Sequence, residues 1–154
     1  MKQNFGSNAV SITHSAWRIV VGFLFACHGA ASLFGILGGH PGLNGGAIPF
    51  GIWPYWWGAV IQLVGGSLVA LGLFTRVTAL ICSGSMAFAY FSVHLKNGIL
   101  PIQNEGELAA LYAWQFLMIT AVGPGRWALD TILHKSIDKS TTATPEKEQT
   151  YAPV

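Results

Sequence analysis

Residues 55–95 read YWWGAVIQLVGGSLVALGLFTRVTALICSGSMAFAYFSVHL, two apolar runs divided at Phe74-Thr75-Arg76, and Arg76 is the one Asp, Glu, Lys or Arg in the stretch. A helix of about 20 predominantly apolar residues crosses roughly 30 Å of hydrocarbon at 1.5 Å per residue. Each run is of that length, and the turn between them is too short for anything but antiparallel neighbours. Strands do not compete. Open sheet edges are not tolerated in lipid, and so few segments cannot close a barrel. The stretch therefore predicts a pair of membrane-spanning helices.

Two more spans flank this pair, giving four at about 17–37, 55–74, 77–95 and 107–123. Between the first two lies a Gly- and Pro-rich loop holding Pro41, Pro49 and Pro54, and between the last two a polar one with breakers at Asn97-Gly98, Pro101 and Asn104. The expected fold is an all-α integral membrane four-helix bundle over 17–123. An N-terminal segment, 1–16, precedes it. After Gly123-Pro124-Gly125, residues 124–139 predict an interfacial helix with Leu129, Ile132, Leu133 and Ile137 on one face. Residues 140–154, polar and Pro-containing, predict a disordered tail. A signal peptide is the competing reading of the first span, since Leu24-Phe25-Ala26-Cys27 faintly resembles a lipoprotein cleavage box.

Composition agrees with the spans. The chain has 154 residues, 52% of them hydrophobic and 9% charged, where a soluble domain carries about 25% charged residues. Between Trp17 and Gly123 the charged residues are Arg18, Arg76, Lys96, Glu105 and Glu107. No basic stripe interleaves with aromatics, which excludes nucleic acid as a partner. Lys2, Arg18, Arg76, Arg126, Lys135 and Lys139 fall on the side shared by both termini and the turn at Thr75, with Lys96 opposite. The positive side faces the cytoplasm, so both termini are expected inside, in the inner (plasma) membrane, with the 38–54 and 96–107 loops outside.

Polar side chains at membrane depth are costly, and each is a functional candidate. Counting residues from the span ends puts His28 about 15 Å deep, and Gln62 and Gln115 about 12 Å deep. The three offer hydrogen-bond donors and acceptors in one layer, able either to bind a carbonyl compound such as a quinone or to join helix to helix. A second cluster lies nearer the outer face. Tyr90 and His94 are one helical turn apart, and Glu107 opens the fourth span, where it can pair with His94 or cap the helix. His40 stands in the outer loop near this cluster, but no spacing requires a metal site and none is expected. Arg18, at the cytoplasmic edge, is expected to snorkel to water or phosphate. Gly22, Gly29, Gly65, Gly66 and Gly72 allow neighbouring helices to approach closely. Cys27 and Cys82 belong to no metal or redox spacing and read as small apolar packing residues.

Arg18 followed by His28-Gly29, Gly65-Gly66-Ser67-Leu68, Gly72 through Arg76, Met86, His94, Asn104-Glu105-Gly106-Glu107-Leu108, Tyr112 and Gly123 through Asp130 form an ordered set. Over residues 17–130 the chain resembles the DoxX family of small four-span bacterial membrane proteins. That resemblance implies a four-helix bundle with both termini inside. It implies no catalytic residues, although some relatives are subunits of a thiosulfate:quinone oxidoreductase and others associate with oxidoreductase complexes. The chain departs from the family pattern at Ser32, Gln62 and Ala128, where Lys, Glu and Ser are expected.

Three functions follow as expectations. The first is a redox-associated subunit that binds a quinone, or a small sulfur compound, within the bilayer through His28, Gln62 and Gln115, with Tyr90, His94 and Glu107 as the second group. A partner oxidoreductase is needed, because no flavin, haem or iron–sulfur motif appears. The alternative is a non-catalytic accessory subunit of a larger membrane complex, docked to a membrane protein partner or to copies of itself. A channel or transporter ranks third.

Overall fold

Glycines and prolines set where each helix stops in the computed structural model, which describes residues 2–133. Those residues are helical or looped, with no strand among them. The first helix, α1 (Lys2–Phe34), has no proline and ends at Gly35, whose φ is +66°. It is 33 residues long. The segment 1–16, expected to precede the first span, therefore forms its opening turns from Lys2 onward. A loop holding a short 3-10 turn at Pro41–Leu43 leads to α2 (Tyr55–Leu71). Gly72 closes α2 in the left-handed conformation at φ +73°, and its N–H reaches the carbonyls of Leu68 and Val69.

The chain then reverses within three residues into α3 (Thr75–Ala89). A π-helical turn, Tyr90–His94, and a 3-10 turn, Leu95–Asn97, continue α3 toward the second loop. The last long helix, α4 (Glu107–Val122), stops at Gly123, with φ +98°, and Pro124. A helical turn begins again at Leu129 and is described as far as Leu133. The rest of the expected 124–139 helix and the 140–154 tail lie outside the described residues.

Packing joins α1 to α2 and α3 to α4, and α1 scarcely touches α4. Glycines make the first pairing possible. A Cβ placed on Gly66 would lie 2.5 Å from the backbone N of Ala26, and one on Gly22 would lie 2.6 Å from that of Ala70. Backbone thus meets backbone across the α1–α2 crossing, as the sequence predicts for small residues. Phe25, Val69, Ala79, Cys82, Phe116 and Ile119 fill the centre with almost no exposure. Outside, the helices show Val64, Leu80, Ile81, Leu111, Trp114 and Met118. A surface this apolar around an interior that buries Arg18, Thr75, Ser83 and Asn104 suits hydrocarbon rather than water.

Two helices, over Asn8–Phe34 and Thr75–Asn97, are long and apolar enough to cross a membrane, while Tyr55–Leu71 and Glu107–Val122 are shorter apolar helices. At 17 and 16 residues, the shorter pair extend only about 26 and 24 Å.

The end carrying the α2–α3 turn is tied by charges that cap helices from a distance. Arg76 donates from Nη1 to the carbonyls of Thr120 and Ala121, 2.7 and 3.0 Å away, closing α4. Asp130 accepts from the backbone N–H groups of Phe74 and Thr75 at 2.8 and 2.9 Å and from the Thr75 hydroxyl at 2.8 Å. It therefore serves α3 as an N-terminal carboxylate supplied from 55 residues downstream. Replacing it with alanine is expected to cost about 2 kcal/mol, and with asparagine less, because one acceptor oxygen remains. Reversible unfolding in mixed detergent micelles would measure both, and equal stability of Asp130→Ala and the parent would refute the cap.

Arg18 departs from expectation. It is fully buried and donates to the carbonyls of Val69, Ala70 and Trp127 instead of reaching water. At the C-terminus of α2 the capping N–H groups of Gly72 and Leu73 serve Leu68 and Val69, and the carbonyl acceptors that remain draw the guanidinium inward.

Candidate cavity between the first and fourth helices

Val21 and His28 lie seven residues apart, and so on nearly the same face of α1, yet Val21 is buried and His28 is exposed. Between them α1 leaves α4. The close contact before the parting is aromatic: Phe25 packs against Phe116 and Tyr112 with ring centroids 4.6 and 5.0 Å apart. Above this floor, toward the end carrying the two long loops, a cavity of about 290 Å³ opens.

All four helices and both loops line it. From α1 come Phe25, His28 and Ser32; from the first loop, His40; from α2, Gln62; from α3 and its π turn, Met86, Ala89 and His94; from the second loop and α4, Glu105, Leu108, Ala109 and Tyr112. His28 stands edge-on to Tyr112 with centroids 6.0 Å apart. Among the residues singled out in the sequence, the fold brings His28, Gln62 and His94 to this one cavity.

The others lie elsewhere. Gln115, half-buried, comes three residues after Tyr112 on α4 and does not line the cavity. Glu107 is exposed as the first residue of α4. Tyr90 lines a separate groove between α3 and α4 and donates its hydroxyl to the Ile99 carbonyl at 2.8 Å. Tyr90 and His94 both pack against Gly106, at opposite ends of the π turn. Its hydrogen bond runs from the Leu95 N–H to the Tyr90 carbonyl, one residue wider than an α-helical bond. Glu105 and Tyr112 do line the cavity, and the residue counts singled out neither.

Glu105 has φ +57°, unusual for a side chain with a Cβ. Asn104 holds it there. Buried Asn104 donates from Nδ2 to the Gly98 carbonyl at 2.7 Å, and its Oδ1 accepts from the Gly106 N–H at 2.8 Å. The second bond is an Asx turn, which the order Asn104-Glu105-Gly106 already signals.

Two histidines are fixed as opposite tautomers when neutral. His94 Nδ1 lies 3.0 Å from the Asn104 carbonyl, which only accepts, so Nδ1 carries the hydrogen and Nε2 keeps a free pair. His40 Nδ1 accepts from the Gly42 N–H at 3.1 Å, which leaves the hydrogen on Nε2. The cavity is thus lined by an imidazole donor at His40, an imidazole acceptor at His94, the third imidazole of His28, and the Gln62 amide, which is both donor and acceptor. No group of three or more His, Cys, Asp or Glu among the described residues is arranged to hold a metal ion. Cys27 and Cys82 are free thiols, and Cys82 is buried against Gly65.

Comparison with known proteins gives a family match. The DoxX family model matches residues 14–95. A Haemophilus influenzae protein described as uncharacterized is 41% identical over 121 residues, which cover 77% of this chain and 88% of that protein. A second uncharacterized protein of the same organism is 28% identical over 74 residues, covering 48% of this chain and 49% of the relative. No solved structure matches.

Proposed function

This chain belongs to the DoxX family of membrane proteins, and from that premise we propose that its cavity binds a quinone head group while a partner oxidoreductase exchanges electrons with it. The bundle spans the inner membrane four times with both termini in the cytoplasm. Arg18, Arg76 and Arg126 cluster at the terminus end and Lys96 lies at the loop end, in accord with the positive-inside pattern. One observation carries the ligand reading. The cavity begins where α1 and α4 part, so a lipophilic molecule reaches His28 from the hydrocarbon without crossing water. A volume of about 290 Å³ suits a head group alone, near the lower end of the roughly 300–1,000 Å³ typical of small-molecule sites. The tail stays in lipid.

A bound quinone supplies two-electron, two-proton chemistry, and the chain's part is to hold and pass protons. His40 donates from Nε2–H to a carbonyl oxygen. His94 accepts a hydroxyl hydrogen at Nε2, and it can take that proton without losing its Nδ1–H bond to Asn104. Gln62 serves either ring substituent. Tyr112 and Phe25 give the ring a flat apolar floor. The sequence carries no flavin, haem or iron–sulfur motif, which assigns electron supply to the partner.

Binding of a short-tailed ubiquinone to protein in detergent, followed by calorimetry, tests this. Gln62→Leu and His94→Leu are each expected to weaken binding about tenfold, whereas Gln115→Leu and Glu107→Gln leave it within about twofold. Absence of saturable binding to the parent protein would refute the reading. Equal affinity in all four variants would remove this cavity as the site.

A further inference from the structure

Ser32, His40, Gln62, Met86 and Ala89 line two cavities at once. The second, of about 110 Å³, lies between the loop-side halves of α2 and α3 beneath the 35–54 loop, on the far side of Gln62 from the lipid-facing crevice. On α2 its wall is Tyr55, Gly58, Ala59 and Gln62, one helical face. Its polar groups are the side chains of Ser32, His40, Tyr55, Gln62 and Ser85, hydrogen-bonders with no Asp, Glu, Lys or Arg among them.

This lining selects the occupant. An ion would find no Asp, Glu, Lys or Arg beside it, and an apolar group would cover the hydrogen-bonding side chains of Ser32, Gln62 and Ser85 without offering them a partner. Water satisfies them, and at about 30 Å³ per molecule the space holds roughly three or four. Toward the terminus end the way is shut by Phe25, Val69, Ala79, Cys82, Phe116 and Ile119, which leave almost no exposed surface.

We infer that the smaller cavity is a water-filled inlet through which the hydrogen-bonding groups of the larger one exchange protons with the aqueous phase at the loop end of the bundle alone. Lipophilic ligand and water then reach Gln62 from different directions. A proton held at His94 Nε2, in the larger cavity, leaves by way of the hydrogen-bonding residues common to both cavities, Ser32, His40 and Gln62, to a water of the inlet, and the neutral ring stays bonded to Asn104; the reverse transfer reloads it. The use of this inlet for ligand chemistry rests on the proposed quinone reading; its existence and sidedness do not.

Silver ion, small enough to enter where water does, tests the inlet without any quinone. Gln62→Cys and Ser85→Cys would be made in a Cys27→Ala, Cys82→Ala background whose folding is checked by gel filtration. Right-side-out and inverted membrane vesicles would be exposed to Ag+, and the remaining thiol counted with fluorescent maleimide after denaturation. Leu43→Cys, exposed in the first loop, reports which face carries the loops. Both test thiols are expected to be blocked at least about tenfold faster from the loop side than from the terminus side.

A plug supplies the second arm. A Cβ on Gly58 meets nothing within 4 Å, and Gly58 lines only the smaller of the two cavities. Gly58→Leu, or Gly58→Val should the first fail to fold, is expected to slow the reaction of Gln62→Cys about tenfold and to leave short-tailed ubiquinone binding unchanged. Equal rates from both sides, no reaction at either thiol while Leu43→Cys reacts, or an ineffective plug would each overturn the inlet. Loss of quinone binding in the parent protein with sided silver reaction intact would overturn the quinone reading and leave the inlet standing.

Discussion

Gly66→Leu is expected to abolish the folded bundle. At that position a Cβ would stand 2.5 Å from the Ala26 backbone N and 2.6 Å from the Gly22 carbonyl oxygen, and neither atom can swing aside as a side chain would. The reverse contact is as close, because Gly22 meets the Gly66 carbonyl at 2.7 Å by the same construction. Accommodating leucine means moving α1 off α2, the most extensive helix pairing in the protein. Overpacking in a core that can shift costs about 1–3 kcal/mol. Here the obstruction is backbone, so the loss should exceed that range. Gly84→Leu is the control, since a Cβ there meets nothing within 4 Å. Gel filtration and detergent unfolding should give a compact Gly84→Leu protein and an aggregated or unfolded Gly66→Leu one, and parent-like behaviour of Gly66→Leu would refute the crossing.

This crossing was readable in advance, because Gly22, Gly29, Gly65 and Gly66 sit at helical spacings inside apolar runs and lipid gives small residues a packing use. The helices were also readable, since hydropathy reports length, although Gly35 and Gly72 end the first two short of the expected 37 and 74. What hydropathy could not report was continuity beyond the apolar run. The polar first sixteen residues contain no helix breaker and extend α1 back to Lys2. The shortness of α4 does follow from its apolar run, but that of α2 does not, because Gly72 in its left-handed conformation stops α2 before its run ends at Phe74.

The cavity was legible in part. Counting 1.5 Å per residue put His28, Gln62 and Gln115 in one layer, but a depth count ignores where helices separate. The cavity runs upward from His28 and Gln62 to His94, His40 and Glu105, between α1 and α4 above the Phe25–Tyr112 contact, with His28 edge-on to Tyr112 at its side. Gln115 comes just past that floor on α4. The pairing of Tyr90 with His94 assumed 3.6 residues per turn; the turn there is a π turn, and both side chains pack against Gly106 while only His94 lines the cavity. Glu107 drew attention as a helix-opening carboxylate, while Glu105 reaches the cavity through the Asx turn of Asn104. That turn is a local signal, and it outweighs the helix-end argument.

Arg18→Ala is the substitution expected to be most damaging after the glycine crossing. The guanidinium is fully buried and joins three parts of the chain, with Nη1 on the carbonyls of Val69 and Ala70 and Nη2 on that of Trp127 at 2.7 Å. The Val69 and Ala70 carbonyls belong to the last turn of α2, where helical donors run out and the Gly72 N–H reaches Val69 but not Ala70. Truncation removes the guanidinium from both, leaves a void, and takes away the positive charge that attracts Asp130, which still caps α3. Losses of this kind amount to about 3–5 kcal/mol. Arg18→Lys keeps the charge but offers a point donor where the fork spans carbonyls on two segments, so an intermediate loss is expected. Arg18→Met separates packing from hydrogen bonding, because it fills similar space with no donor. Stability of Arg18→Met close to that of Arg18→Ala would assign the effect to the carbonyl bonds. Stability close to the parent would show that the arginine contributes through its stem alone and would refute its role as the clasp of the terminus end.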